Sequence, residues 1–371
     1  MKQDMRIACC IHGLDGGGAE RLMAGLANRL VESHAVTLIT WAPAGTDRYP
    51  IDPRIERVGL SLRGESHHAL QGIWRSGQRI AALRSAIAKS GAEVALSFCD
   101  QMNVLACLAT PVPIVVSEHT DPMHQPLSAS WRIGRKIAYR RAAAGIALTD
   151  QTRRWMQAWM PHRPIAVIPP AIDAPPTGWP SLDREPGPPW RLIAMGRLSP
   201  EKGIDRLIDA FARSNGPATG WVLDLIGDGP LRQELQSLAN SLRCANSIHF
   251  VGWRSNVWAE LASAHALALS SHYEGFPLAL LEGMAAGLPC ISVDCPSGPR
   301  ELIRSGHNGL LVESSNEGLL CGLNQLFGDP QLRIRLGREA VAVRETYTWQ
   351  RFLTAHEDLL RQVVNAWHRK D

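Results

Sequence analysis

Short apolar runs alternate with longer stretches in which apolar positions recur every three or four residues, and the alternation occurs twice. In the first half, runs at Arg6–Ile11, Val36–Trp41, Glu93–Phe98, Pro113–Ser117, Gly145–Leu148 and Ile165–Ile168 predict strands. Helix-period segments such as Ala19–Val31, Ile73–Lys89 and Trp131–Ala143 fall between them. Strands spaced by helices imply βαβ units and a parallel sheet. The prolines at 169, 170, 175, 176, 180, 186, 188 and 189 exclude helix or central strand, so residues 171–189 read as a linker. The alternation then restarts with Trp190–Met195, Trp221–Ile226, Ser247–Val251, Ala266–Leu269, Cys290–Val293 and Leu310–Val312 as strands. The pattern predicts an α/β chain of two doubly wound domains, 1–170 and 190–348, with ligands at the strands' carboxyl ends in the cleft between them. Residues 349–369 carry an apolar stripe (Phe352, Leu359, Leu360, Val363, Val364, Trp367) and predict an amphipathic helix.

A length of 371 residues accommodates two such domains, and 45% hydrophobic residues argue against a disordered chain. No apolar stretch reaches the roughly 20 residues of a membrane span, and the start lacks a cleavage-site pattern. The eight cysteines form no C-x-x-C pair; with Cys107, Cys290 and Cys321 in apolar runs, they read as reduced core thiols of a cytoplasmic protein. The net charge of +4 is unevenly spread: residues 1–180 carry 20 Lys/Arg against 14 Asp/Glu, and residues 181–371 carry 19 against 21. A basic first half suits an anionic partner such as phospholipid headgroups, a lipid-linked diphosphate or nucleic acid, although a solvated surface has the same composition. The excess is modest and lacks a recognition motif, which disfavours nucleic acid.

Four segments at strand-to-helix junctions carry candidate chemistry. Asp15-Gly16-Gly17-Gly18-Ala19-Glu20-Arg21 follows the first strand; its glycines allow close backbone approach to a ligand, or simply a turn. It lacks the G-x-G-x-x-G spacing, and strand two ends in Trp41 rather than an acidic residue, which counts against NAD. Arg197 and Lys202 share the loop Gly196–Gly203, a pair suited to a diphosphate leaving group. Glu274 and Glu282 lie eight residues apart in Glu274-Gly275-Phe276-Pro277-Leu278-Ala279-Leu280-Leu281-Glu282, with Gly275 and Phe276 able to offer amides to an anion. A carboxylate at Glu282, in so apolar a helix, needs partners, and a ribose diol is one candidate. His119, in Ser117-Glu118-His119-Thr120, ends a strand where it could meet a sugar hydroxyl, or be a satisfied loop histidine. There is no D-x-D, no H-E-x-x-H and no Cys/His ligand spacing, so no metal or cofactor is expected, and cations with helix N-termini are expected to do the electrostatic work.

Gly196–Gly203, the Glu274/Glu282 pair, Cys295-Pro296-Ser297-Gly298-Pro299-Arg300-Glu301 and His307-Asn308-Gly309-Leu310-Leu311-Val312 together resemble the retaining glycosyltransferases of family 4. The glycine-rich opening and the Pro-Ser-Gly-Pro-Arg-Glu segment look most like bacterial enzymes of lipid-linked oligosaccharide or exopolysaccharide assembly. The resemblance implies a GT-B fold, a nucleotide-sugar donor (UDP-linked by family habit) and a retained, α-linked product. It implies that Arg197 and Lys202 hold the donor diphosphate, that Glu274 lies by the donor sugar with Gly275, Phe276, Pro277 and Leu278, and that Glu282 binds ribose. It places Gly16 and Gly17 near the sugar-phosphate and His119 in the donor-sugar site, and returns the last helix, within 349–371, to the first domain.

The acceptor is expected to be a saccharide on a polyprenyl diphosphate, reached from the cytoplasmic face of an anionic membrane. Two basic segments with interfacial tryptophan suit that contact: Arg132, Arg135, Lys136, Arg140 and Arg141 beside Trp131, Ile133, Ile137 and Tyr139, and Arg75, Arg79, Arg84 and Lys89 beside Ile73 and Trp74. Competing readings are a GT-B-fold sugar-nucleotide epimerase, a phosphorylase, or a non-catalytic nucleotide-sugar-binding protein.

Overall fold

The computed structural model describes residues 5–64, 69–125, 127–180 and 187–369. The chain divides into two compact units, residues 1–171 with 349–371, and residues 172–348.

The first unit is a seven-stranded parallel sheet: β1 (Arg6–Ile11), β2 (Ala35–Thr40), β3 (Glu56–Gly59), β4 (Val94–Phe98), β5 (Ile114–Glu118), β6 (Ala144–Ala147) and β7 (Ile165–Val167). Spatial order is β3-β2-β1-β4-β5-β6-β7, so the winding reverses between β1 and β4. Helices α1 (Gly18–Leu30), α2 (Ala69–Lys89), α3 (Asp100–Ala109), α4 (Ala129–Ala138) and α5 (Asp150–Trp159) supply the crossovers. β4 and β5 are buried at every position, as strands covered on both faces must be. β3 has no counterpart in the sequence reading. It is an edge strand, half-exposed from Arg57 to Gly59, and never forms an apolar run.

The second unit is a six-stranded parallel sheet: β8 (Trp190–Met195), β9 (Trp221–Ile226), β10 (Ile248–Gly252), β11 (Ala266–Leu269), β12 (Cys290–Val293) and β13 (Leu310–Val312). Its order, β10-β9-β8-β11-β12-β13, reverses between β8 and β11. Helix α6 (Ile204–Arg213) sets Leu207, Ile208 and Phe211 into a core with Trp221, Leu323 and Phe327.

The last helix, Trp349–His368, belongs to the first unit. Glu357 meets His34 at 3.1 Å, and Arg29 lies over the Trp349 ring at 3.9 Å. The proline-rich stretch is not uniformly a free linker. Ile172 bridges to Thr348, and Trp179 donates its indole N–H to the Ala286 carbonyl at 2.8 Å, so residues 172–180 pack on the second unit. Linker residues 181–186 lie outside the described residues.

All eight cysteines are free. Cys9 and Cys10 are fully buried, and desolvation pushes the Cys9 thiol up to about 12. Cys321 is not a core thiol as its apolar run suggested. Leu319 and Leu323 take the buried side of helix Asn316–Gly328, which leaves Cys321 exposed.

Candidate functional site

In an open α/β sheet the crevice for a ligand lies beyond the carboxyl ends of the strands where the winding reverses. In the second unit those ends are β8 and β11. The loop after β8 carries Arg197 and Lys202, and the loop after β11 carries Ser270, Ser271 and Glu274.

The structure joins these loops. Lys202 Nζ lies 2.7 Å from Glu274 Oε1, and Ser271 Oγ donates to the same oxygen at 2.5 Å. Glu274 is buried and Lys202 is about a quarter exposed. Burial works to lower the Lys202 ammonium, but the attraction of Glu274 outweighs it, so the net shift is upward and the lysine stays charged. Arg197 is exposed and has no side-chain hydrogen bond or ion pair among the described residues. The loop is therefore built with one cation held against a carboxylate and one uncommitted.

Arg206 of α6 is a part of this site that the sequence reading missed. Its buried guanidinium donates to the carbonyl oxygens of Ser270 and Ser271, and Ser270 Oγ donates to the Lys202 carbonyl at 3.0 Å. One arginine thus ties the β11 loop to the β8 loop. Gly203 makes the approach possible: its φ is +55°, and an added Cβ would collide with the Ser270 oxygen.

Glu274 leads into helix Leu278–Ala285. The amides of Gly275 and Phe276 make no hydrogen bond among the described residues, Pro277 is the N-cap and Leu278 opens the helix. Two backbone donors thus stand at a helix start beside Lys202, an arrangement that suits an anion. Glu282 is buried on the same helix. Gly298, at φ +95°, lets Ser297–Pro299 close over Pro277 and Glu274, where a Cβ would strike the Pro277 ring.

The remaining expected site residues are in the first unit. The amides of Gly16 and Gly17 are not available to a ligand as expected, because both donate to Glu20 Oε2, at 2.6 and 2.9 Å. Glu20 is the third residue of α1 and reaches back to cap it, a capping box with glycine at the N-cap. Its other oxygen accepts from His12 Nε2 at 2.9 Å. The Gly17-x-x-Glu20 spacing was the signal for this, and it was legible in the sequence. His119 is neutral: desolvation and then the nearby His356 push its imidazole down to about 3. Its Nε2 pairs with Ser117 Oγ at 3.0 Å and its ring lies 4.0 Å from Phe98.

Arg135 does not belong to a basic surface face. It is 2% exposed, 3.6 Å from Asp100 and 3.8 Å from Glu118, and Tyr139 is buried with its hydroxyl donating to Glu118. The exposed face of α4 keeps Arg132, Ile133, Lys136 and Ile137, and Arg140 follows it. On α2, Ile73 and Trp74 are 71% and 63% exposed. Arg75 and Arg79 of that helix line a pocket of about 130 Å³ with Ser61, Leu62, Arg63 and Gln78. Among the described residues no helix is long and apolar enough to cross a membrane, and no three His, Cys, Asp or Glu side chains are grouped to hold a metal ion.

Comparison with known proteins covers both units. The sequence model "Glycosyltransferase Family 4" matches residues 16–174, and "Glycosyl transferases group 1" matches residues 183–342. The chain is 28% identical over 344 residues to a Campylobacter jejuni GalNAc-alpha-(1->4)-GalNAc-alpha-(1->3)-diNAcBac-PP-undecaprenol alpha-1,4-N-acetyl-D-galactosaminyltransferase, covering 91% of this chain and 92% of that enzyme. It is 30% identical over 270 residues to the Streptomyces coelicolor exopolysaccharide phosphotransferase SCO2592, a match that covers 71% of this chain and only 28% of that protein. The sucrose-phosphate synthase of Thermosynechococcus elongatus superposes with a TM-score of 0.81 at 18% identity, over 97% of this chain and 99% of that one. Two parallel sheets, each with its own reversal point, joined to a family 4 first half and a group 1 second half, make this chain a member of the GT-B glycosyltransferases.

Proposed function

We propose that the protein is a retaining, metal-independent glycosyltransferase that moves a hexose or N-acetylhexosamine from a nucleotide sugar, UDP-linked, to a saccharide on a polyprenyl diphosphate. The observation that carries this is the Lys202–Glu274–Ser271 cluster at the β8/β11 reversal point, next to the uncommitted Arg197 and the open amides of Gly275 and Phe276. Cations and oriented amides stabilise the charge that grows on a departing diphosphate. In this mechanism Arg197 and Lys202 face the diphosphate, Glu274 receives donor-sugar hydroxyls, and Glu282 receives the ribose. His119 lines the donor-sugar site. The glycosidic C–O bond to the diphosphate breaks as the acceptor oxygen bonds to the same carbon from the same face, and a phosphate oxygen takes the acceptor's proton.

For the acceptor, the Campylobacter relative's undecaprenyl-diphosphate substrate supports a lipid-linked saccharide. The three arginines around one pocket beside the exposed Ile73 and Trp74 suit a diphosphate on an apolar tail. Together with Arg132, Ile133, Lys136 and Ile137 they support peripheral docking on the anionic cytoplasmic leaflet.

The test is transfer from UDP-glucose, UDP-galactose, UDP-N-acetylglucosamine and UDP-N-acetylgalactosamine to synthetic polyprenyl-diphosphate saccharides, with the anomeric configuration of the product read by NMR. An α-linked product supports the reading; a β-linked product, or isomerised donor without transfer, overturns it.

A further inference from the structure

The glycine-rich loop binds a carboxylate from its own chain, and that carboxylate holds a histidine. Glu20 divides its two oxygens: Oε2 accepts from the Gly16 and Gly17 amides, and Oε1 accepts from His12 Nε2. Glu20 is 7% exposed. A buried carboxylate is stable only with such partners. Burial pushes its carboxyl up, but the hydrogen bonds from His12 and the two amides prevail, so it lies below the ordinary range and is ionised. With a single proton on the imidazole, an ionised Glu20 accepting from Nε2 holds that proton there and leaves a lone pair on Nδ1. The His12 side chain is 42% exposed, and Nδ1 has no hydrogen-bond partner among the described residues. A cap alone needs one of Glu20's oxygens; the other is spent on orienting an imidazole.

His12 also stands in a defined place. It follows β1 directly, and β1 and β4 are the strands between which the first unit reverses its winding. Across that reversal, Cys99 follows β4 in a positive-φ conformation (+72°) that non-glycine residues rarely adopt. The corresponding junctions in the second unit, after β8 and β11, carry Lys202 and Glu274. His12 is therefore the side chain that the first unit holds, pre-aligned and half-exposed, at its own ligand crevice.

We propose that His12 contacts the sugar acceptor, its Nδ1 accepting a hydrogen bond from an acceptor hydroxyl, and that Glu20 is the positioning residue that aligns it. This rests on the glycosyltransferase reading and assigns to the glycine-rich loop a role in orienting His12 rather than in cradling phosphate. Neither side chain needs to exchange a proton for this, so the transfer step stays as written above.

The experiment compares wild type, His12→Ala, His12→Gln, Glu20→Gln and the double variant His12→Ala/Glu20→Gln. Each is assayed for transfer to a synthetic polyprenyl-diphosphate disaccharide and for hydrolysis of the nucleotide sugar without acceptor. His12→Ala is expected to raise the acceptor KM about 5–10-fold, the worth of one hydrogen bond, to leave the donor KM and donor hydrolysis unchanged, and to lower the melting temperature because it takes from the buried Glu20 one of its partners. His12→Gln, which can still donate to Glu20 and accept from a hydroxyl, is expected to recover part of that loss. Glu20→Gln is expected to act mainly through His12, so the double variant loses less than the product of the two single losses. In the wild type, the His12 side-chain ¹⁵N resonances are expected to move on titration with the disaccharide and not with UDP. An unchanged acceptor KM in His12→Ala, or an equal loss in donor hydrolysis, overturns the assignment of His12 while leaving the donor site standing. Absence of transfer by the wild type from every donor fails the glycosyltransferase reading first, and the acceptor role with it.

Discussion

Lys202 and Glu274 are 72 residues apart in sequence and 2.7 Å apart in space, joined at the point where the second sheet reverses its winding. The pair sits beside Arg197, which has no partner of its own among the described residues, and this difference separates the two cations experimentally.

Arg197→Ala and Lys202→Ala are each expected to lower kcat about 10²–10³-fold, the usual cost of removing one donor from a charge-stabilising site. Only Lys202→Ala should also destabilise the fold, by about 1–3 kcal/mol, because it leaves the buried Glu274 carboxylate without its cation. Steady-state kinetics beside urea denaturation check both. A stable, fully active Lys202→Ala protein would contradict the site described here.

Arg206→Gln is expected to raise the donor KM by roughly tenfold, because a neutral amide cannot hold the Ser270 and Ser271 carbonyls together as the guanidinium does. Isothermal titration with UDP measures it, and the acceptor KM should stay put.

Arg135→Ala and Lys136→Ala, on neighbouring residues, should behave as opposites. Arg135→Ala strips the buried Asp100 and Glu118 of their cation and should cost about 3 kcal/mol or more. Lys136→Ala, on the exposed face, should leave the melting temperature alone and weaken sedimentation with phosphatidylglycerol vesicles. Salt should weaken that binding further.

His356 gives the first unit a pH dependence. Desolvation pushes its imidazole down to about 4, and His119 is pushed down to about 3. Above pH 6.5 both are neutral whether folded or unfolded, and the full stability is present. As pH falls below 6.5 the unfolded chain takes up protons that the folded chain refuses, so stability falls, by about 1.4 kcal/mol per pH unit for a group as buried as His356, until the folded form titrates near pH 4. Urea midpoints between pH 7 and 4 follow this loss, and His356→Gln should flatten the curve.

Transfer should persist in excess EDTA, since Lys202, Arg197 and the Gly275 and Phe276 amides are the proposed neutralising groups. A strict requirement for a divalent ion restored by manganese would move the electrostatic work to a metal.

The strands that could be read from the sequence are those that form apolar runs. β8, β9, β11, β12 and even the edge strand β13 coincide end to end with theirs. β3 escaped because its four residues, Glu56-Arg57-Val58-Gly59, carry two charges and one large apolar side chain and so form no run. Arg197 and Lys202 stood out as two cations on one short loop, and Glu274 and Glu282 because charge is costly in an apolar stretch. Ser271 and Arg206 did not, since their role lies in carbonyl and carboxylate partners more than 60 residues away or brought close only by a loop. Arg135 misled for the reverse reason: a sequence shows that a helix is basic but not that Asp100 and Glu118 wait beneath one of its arginines. At the glycine-rich loop the amides of Gly16 and Gly17 are committed to the carboxylate of Glu20, three and four residues on, rather than left open to a ligand.

The chain leaves the first unit at Ala171 and re-enters it at Trp349, and the two crossings run side by side where Ile172 pairs with Thr348. The second unit is thus an insert with two covalent tethers. A single cut between Ala171 and Ile172 would leave two polypeptides, held together through the packing of the last helix on the first unit, as at Glu357–His34 and Trp349–Arg29. A fragment ending at residue 171 would lack the helix that supplies Phe352, His356 and Glu357, so a dissection that keeps each core whole must cut twice and splice the first unit's ends.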